Sequence, residues 1–174
     1  LLPLLPFLTV SAADVERFQM VPSVVRFDAR FAQILFSMRD AELSIGQEKG
    51  SGDGKVTITL KEGPWPGIEF HDLWPNWEPY SVLVLEIENP GPDVLPINVR
   101  VDDFAHRRTQ RFDDRFNRKI ELPSGRHSIH FKIAGIRDAP LHRQMNMQEI
   151  DSLLIFGSEE EEGRWFILHE VRLE

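Results

Sequence analysis

The sequence predicts an all-β fold, an antiparallel β-sandwich of the jelly-roll kind with one or two short helical turns. Three observations carry that expectation. Short apolar stretches, about ten of them, recur at regular spacing. Gly, Pro and Asn turn chemistry separates them. Most alternate apolar and polar residues with period two, the mark of strands buried on one face. At 174 residues the chain is long enough for one such domain to bury a core without metal or disulfide support.

The chain opens on Leu1–Val10, a strongly apolar run followed by Ser11-Ala12-Ala13. Ten residues are too few to span a bilayer, which takes about 20. Residues 1–13 are read as the end of a transmembrane helix or signal peptide, or as an apolar segment lying on the sandwich, and residues 14–174 as the β-sandwich domain. Either membrane reading puts the domain in an extracytoplasmic, membrane-anchored or periplasmic setting.

Val24–Asp28 reads as a strand, and Phe31, Ile34, Leu35 and Met38 recur at helical spacing after it. Ala41–Ile45 alternates, Glu48–Gly54 is a turn by composition, and Lys55–Lys61 is a half-buried strand with Val56, Ile58 and Leu60 inward. Ile68–Phe70 precedes an aromatic loop, Asp72–Tyr80. Ser81–Glu88 is nearly continuous in apolar residues, as for a central strand covered on both faces, and Asn89-Pro90-Gly91-Pro92 ends it.

Leu95–Asp102 is the cleanest strand. Leu95, Ile97, Val99 and Val101 face one way; Asn98, Arg100 and Asp102 face the other. Asp103–Asn117 follows as a dense polar loop. Arg118–Leu122 and Ser128–Ile133 are strands. Met145, Met147 and Ile150 mark a helical turn in an otherwise irregular stretch. Leu153–Phe156 and Trp165–Leu173 close the fold around the acidic turn Ser158–Gly163.

Composition removes several functions. A net charge of −8 excludes general nucleic-acid binding, which depends on neutralising phosphates with Lys and Arg. With no cysteine there are no disulfides, thiol nucleophiles or Cys-ligated zinc. No nucleophile elbow, phosphate-binding Gly loop or zinc helix occurs. His127 and His130 are three apart on a strand and fall on opposite faces, so they do not chelate one metal together.

The candidate site is the polar strand face and its loop: Arg100, Asp102, Asp103, His106, Asp114, Arg115 and Asn117. Vicinal hydroxyls of a sugar suit such donors and acceptors. An aromatic platform comes from Trp65, Trp74, Trp77 and Tyr80, with Trp74 and Trp77 expected to be the exposed pair. A hydrolase or lyase using Asp102, Asp103 or Asp114 with His106 is the second reading, opposed by the Arg residues around them, which lower a carboxyl pKa. An ion-paired structural or interaction domain is the third. A structural calcium ion held by oxygen ligands is a further expectation, with Asp28 and Glu170 as its ligands near the two ends of the sandwich.

The series Pro66-Gly67-Ile68, Trp77-x-x-Tyr80, Glu88-Asn89-Pro90, Val99-Arg100-Val101-Asp102-Asp103-x-x-His106 and Asp113-Asp114-Arg115-Phe116-Asn117 has a family look. Leu122-Pro123-x-Gly125 and Arg143-x-Met145-x-Met147 extend it. It resembles the galactose-binding-like jelly-roll domain at the C-terminus of some VanZ-like membrane proteins, also found as a carbohydrate-binding module beside agarase-type glycoside hydrolases. The resemblance covers roughly Phe27 to the C-terminus. It departs at His169-Glu170-Val171-Arg172, where such modules more often carry paired aspartates. It implies a non-catalytic carbohydrate-binding module, attached to a membrane or catalytic domain upstream, with poly- or oligosaccharide as partner.

Overall fold

The computed structural model describes residues 24–26, 36–47, 54–71 and 74–174. Among the described residues, eleven strands form two antiparallel sheets. One sheet orders β3 (Ala41–Gln47), β4 (Gly54–Leu60), β11 (Trp165–Leu173), β6 (Val82–Asn89) and β9 (Gly125–Lys132). β1 (Val24–Arg26) pairs beside β11 at Arg172 to Glu170. The other sheet orders β2 (Phe36–Arg39), β5 (Gly67–His71), β10 (Ile150–Phe156), β7 (Leu95–Asp103) and β8 (Phe116–Leu122). This is the predicted β-sandwich.

The core lies between the sheets and follows the period-two pattern. Val56, Ile58 and Leu60 of β4 and Leu95, Ile97, Val99 and Val101 of β7 are wholly buried. They meet Leu83, Leu85 and Ile87 of β6 and Phe166 and Leu168 of β11 in one cluster. Each such side chain, removed from water, contributes about 1.5–3 kcal/mol. The turn from β6 to β7 is pinned by Asn89, whose Nδ2 donates to the carbonyls of Asp93 (2.8 Å) and Leu122 (3.0 Å). Its Oδ1 accepts from the Gly91 amide at 3.0 Å.

Four local features differ from the sequence expectation. Met145 and Met147 are buried without forming a helical turn, and Ile150 opens β10 instead. Helical turns occur at α1 (His106–Thr109) and α2 (Ile133–Arg137). Trp77, expected to be exposed, is 0% exposed in the core, its amide donating to the Met147 carbonyl at 2.7 Å. Met38, the last residue of the run at helical spacing, lies in β2 and pairs with Ile68; Phe31, Ile34, Leu35, the turn at 48–53, Asp28 and residues 1–13 lie outside the described residues. Among the described residues, no helix is long and apolar enough to cross a membrane.

Candidate functional site

The site is built on the outer face of the β2-β5-β10-β7-β8 sheet. Alternation places every second residue of each strand there, and the registers align them in rows. One row runs Arg39, Gly67, Phe156, Asn98 and Lys119; the next runs Ser37, Glu69, Leu154, Arg100 and Asn117. Above these rows is a cleft of about 440 Å³ with Asn98, Arg100, Asn117, Leu154 and Phe156 on its floor. Arg39, Arg115 and two aromatics form its walls. The aromatics are Trp65, 54% exposed, and Phe112, 69% exposed.

Each aromatic has a local cause. Trp65 stands between Pro64 and Pro66 in the β4–β5 connection, and its ring meets Phe156 edge-on at 6.2 Å between centroids. Phe112 begins a 3-10 turn, Phe112–Asp114, that leads into β8. The Arg115 guanidinium lies 5.1 Å from the centre of its ring, a cation–π contact that props both groups at the rim.

Beneath the cleft and its loop is a buried ionic layer. Asp103 is 0% exposed. Arg143 grips it with Nη1 to Oδ2 at 2.5 Å and Nη2 to Oδ1 at 2.7 Å, while the Asn146 and His106 amides donate to the same carboxylate. Arg143 Nε also reaches Asp114 Oδ1 at 2.5 Å, and the Thr109 hydroxyl donates to Asp114 Oδ2. The Arg143 hydrogen bond holds the Asp114 carboxyl below the usual carboxylate range, against burial and with help from Thr109. Asp102 is buried too, with Arg100 Nη2 at 2.7 Å and the Ser152 hydroxyl at 3.2 Å. His106 is buried with its Nε2 3.2 Å from Arg100 Nη2. A register shift between Ile150 and Ser152 makes Asp151 the extra residue of β10. Arg107 pairs with it and stacks 4.7 Å over Phe104.

The seven polar residues expected in the site therefore divide into two tiers. Arg100, Arg115 and Asn117 line the cleft. Asp102, Asp103, His106 and Asp114 are buried supports whose oxygens and nitrogens face other protein groups. Trp74 is half-buried against the core and Trp77 fully buried, so neither reaches this cleft. Sequence reasoning named Trp65 among four aromatics but gave it no priority, and it missed Phe112, Arg39 and the role of Arg143. Flanking charges do not single out Phe112 in the sequence, because Phe70, between Glu69 and His71, is wholly buried.

Polar satisfaction is incomplete around the cleft. Arg100 Nε, Arg115 Nε and Asn117 Oδ1 are buried without a hydrogen-bond partner, an arrangement that normally needs an explanation. Arg115 forms no ion pair with any described residue. Burial, then the neighbouring Arg100 guanidinium, press its pKa below the ordinary arginine value, with Asp102 opposing.

Of the expected calcium ligands, Asp28 lies outside the described residues. Glu170 accepts from Arg172 at 2.8 Å, and the same Arg172 nitrogen reaches Glu86 at 3.0 Å. Among the described residues, no group of three or more His, Asp or Glu side chains is placed to hold a metal ion.

A second cleft, about 560 Å³, lies between α2, the 144–148 segment and Tyr80. Its one ring, Tyr80, is half-buried against the core, so it lacks the exposed aromatic walls of the first.

No protein-family model matches the sequence, and no match to it is found among curated proteins. Solved structures do match. An exo-β-agarase superposes with a TM-score of 0.65 at 13% identity, covering 87% of this chain and 24% of the agarase, so the chain spans about a quarter of that enzyme's length. The family 11 carbohydrate-binding module from Clostridium thermocellum, in complex with a β-1,3-1,4-mixed-linked tetrasaccharide, gives 0.58 at 13% identity, covering 87% of this chain and 95% of the module. A family 29 carbohydrate-binding module gives 0.50 at 14%, covering 80% and 79%. At these identities the likeness concerns the fold, and the fold is the β-sandwich jelly roll of those modules.

Proposed function

We propose that the protein is a non-catalytic carbohydrate-binding module that holds an oligo- or polysaccharide chain in the cleft on β10, β7 and β8. The observation that carries this reading is the cleft itself: an elongated strand face of amide and guanidinium donors between two exposed rings, Trp65 and Phe112. A sugar presents hydroxyls to such donors at its edge and an apolar face to a ring. The likeness in fold to two carbohydrate-binding modules, over 87% and 80% of this chain, supports it.

Binding is favoured over hydrolysis for a specific reason. Glycosidases need two carboxyl groups about 5–10 Å apart across the scissile bond. The residues that line this cleft include no carboxylate. Asp102 and Asp103 are buried and committed to Arg100 and Arg143, so neither presents a carboxyl to a sugar in the cleft. On this reading the module serves an attached membrane or catalytic segment in an extracytoplasmic space, where polysaccharide is met. The apolar run Leu1–Val10 is the motivation, and cell fractionation of the full-length product checks it.

Affinity electrophoresis through gels containing mixed-linkage β-glucan, agarose, polygalacturonate or carrageenan tests the binding reading. Retardation by at least one polysaccharide, clearly weakened in Trp65→Ala, is the expected result. Unchanged mobility of folded protein in every gel would sink it.

A further inference from the structure

The cleft's chemistry goes beyond a generic sugar surface. Three guanidinium groups, Arg39, Arg100 and Arg115, line it, in a protein whose net charge is −8. Arg39 is partly balanced by Glu69 at 3.4 Å, and Arg100 by Asp102 at 2.7 Å. Arg115 forms no ion pair with a described residue: it rests on the Phe112 ring, and Asp102 acts on it only from beyond ion-pair distance. Counting Arg39, Arg100 and Arg115 against Glu69 and Asp102 leaves one positive charge at the wall of the cleft.

A site for neutral sugars gains little from such an arrangement. Placing a second guanidinium next to Arg100 repels it, and an anion received between the two offsets that cost. Arginine stays charged under all ordinary conditions, so proton loss is no escape. Its planar fork also fits the two oxygens of a carboxylate or sulfate.

The geometry points to a cleft selective for acidic glycans, in which Arg115, seconded by Arg100, receives a sugar-borne carboxylate or sulfate while Trp65 and Phe112 stack on the rings. This inference rests on the cleft being the glycan site. The unpartnered Nε atoms of Arg100 and Arg115 fit it: Arg100 Nη2 is taken by Asp102 and His106, whereas the Arg115 guanidinium, in no ion pair with a described residue, is the group left for an anion. The same chemistry arises from uronic acids and from sulfate esters, and the test separates them.

The test is calorimetric titration of the unaltered protein with oligogalacturonides, carrageenan oligosaccharides and neutral mixed-linkage and agarose oligosaccharides of matched length. The expected result is that one anionic class binds about tenfold or more tightly than either neutral one. Which class does so identifies the anion. Raising salt from about 20 to about 500 mM should weaken the anionic ligand severalfold and leave neutral ones unchanged. Arg115→Gln should erase the preference, and Arg115→Lys, which keeps the charge and loses the fork, should retain only part of it. Neutral oligosaccharides binding as well as or better than anionic ones would overturn the inference and leave the binding function standing. No binding of any oligosaccharide by folded protein would overturn both. An anionic preference unaffected by Arg115→Gln would overturn the assignment to Arg115. If that variant fails to fold, the salt series on the unaltered protein decides the charge preference and Arg115→Lys decides the residue.

Discussion

Arg143 spans Asp103 with both terminal nitrogens, at 2.5 and 2.7 Å, across 40 residues of sequence. That fork fastens the segment after α2 to the end of β7, and through Nε it fastens both to Asp114 before β8. The loop that carries Phe112 and Arg115 is thereby fixed to the sheet it overhangs. Its carboxylates hold the cleft in shape and do not face into it.

Breaking this fork should be costly. Arg143→Ala leaves Asp103 as a buried carboxylate without its cation, a change worth about 3 kcal/mol or more. Urea unfolding should show a lower midpoint with little change in slope. A loss below about 0.5 kcal/mol, the size of ordinary surface substitutions, would show that the layer is not structural.

The same layer predicts an acid transition. Asp114 has a depressed pKa in the folded protein, so its contribution is fully present above the unfolded carboxyl pKa of about 3.9 and is lost as pH falls below that toward the folded value. Melting temperature should therefore drop more steeply below about pH 4 in the natural protein than in Asp114→Asn. Equal slopes would remove Asp114 from the account.

The two rim aromatics should separate binding from stability. Trp65→Ala and Phe112→Ala remove side chains that are more than half exposed, so unfolding free energy should move by no more than about 0.5 kcal/mol. Glycan affinity should fall about tenfold in each case, the size of one interface anchor. Phe112→Ala should also disturb Arg115, which rests on that ring. Loss of stability without loss of binding would reverse the roles.

Two glycines should respond in opposite directions. A Cβ on Gly67 would stand 2.2 Å from the Ile155 carbonyl oxygen and 2.6 Å from Phe156 Cα, so Gly67→Ala must push β5 off β10 below the cleft. A loss of roughly 1–3 kcal/mol is expected. Gly135, within α2, would meet nothing within 4 Å, and Gly135→Ala should gain roughly 0.5–1 kcal/mol. Paired thermal melts check both.

The strands were legible because their cause is local. Leu95, Ile97, Val99 and Val101 alternate with polar neighbours, and all four are wholly buried. Met145, Met147 and Ile150 misled because three apolar residues in six fit a helical turn about as well as an extended segment. Trp74 and Trp77 misled for a different reason: flanking Pro and Asn predict a bent backbone, but they do not say which way a ring points. The polar strand face was visible, and Arg100, Arg115 and Asn117 were found on it. The division between cleft and support was not visible, because it depends on Arg143 meeting Asp103 across 40 residues. Local arginines such as Arg111, which pairs with Asp113 at 2.6 Å, pointed to pairing within the loop alone.

Chemical-shift mapping tests the central claim most directly. Labelled protein titrated with mixed-linkage glucan and oligogalacturonide should show its largest perturbations at Asn98, Arg100, Phe112, Arg115, Asn117 and the Trp65 indole, with residues around Tyr80 and Met147 unmoved. Perturbations centred on the second cleft, or none with any saccharide at saturating concentration, would contradict it.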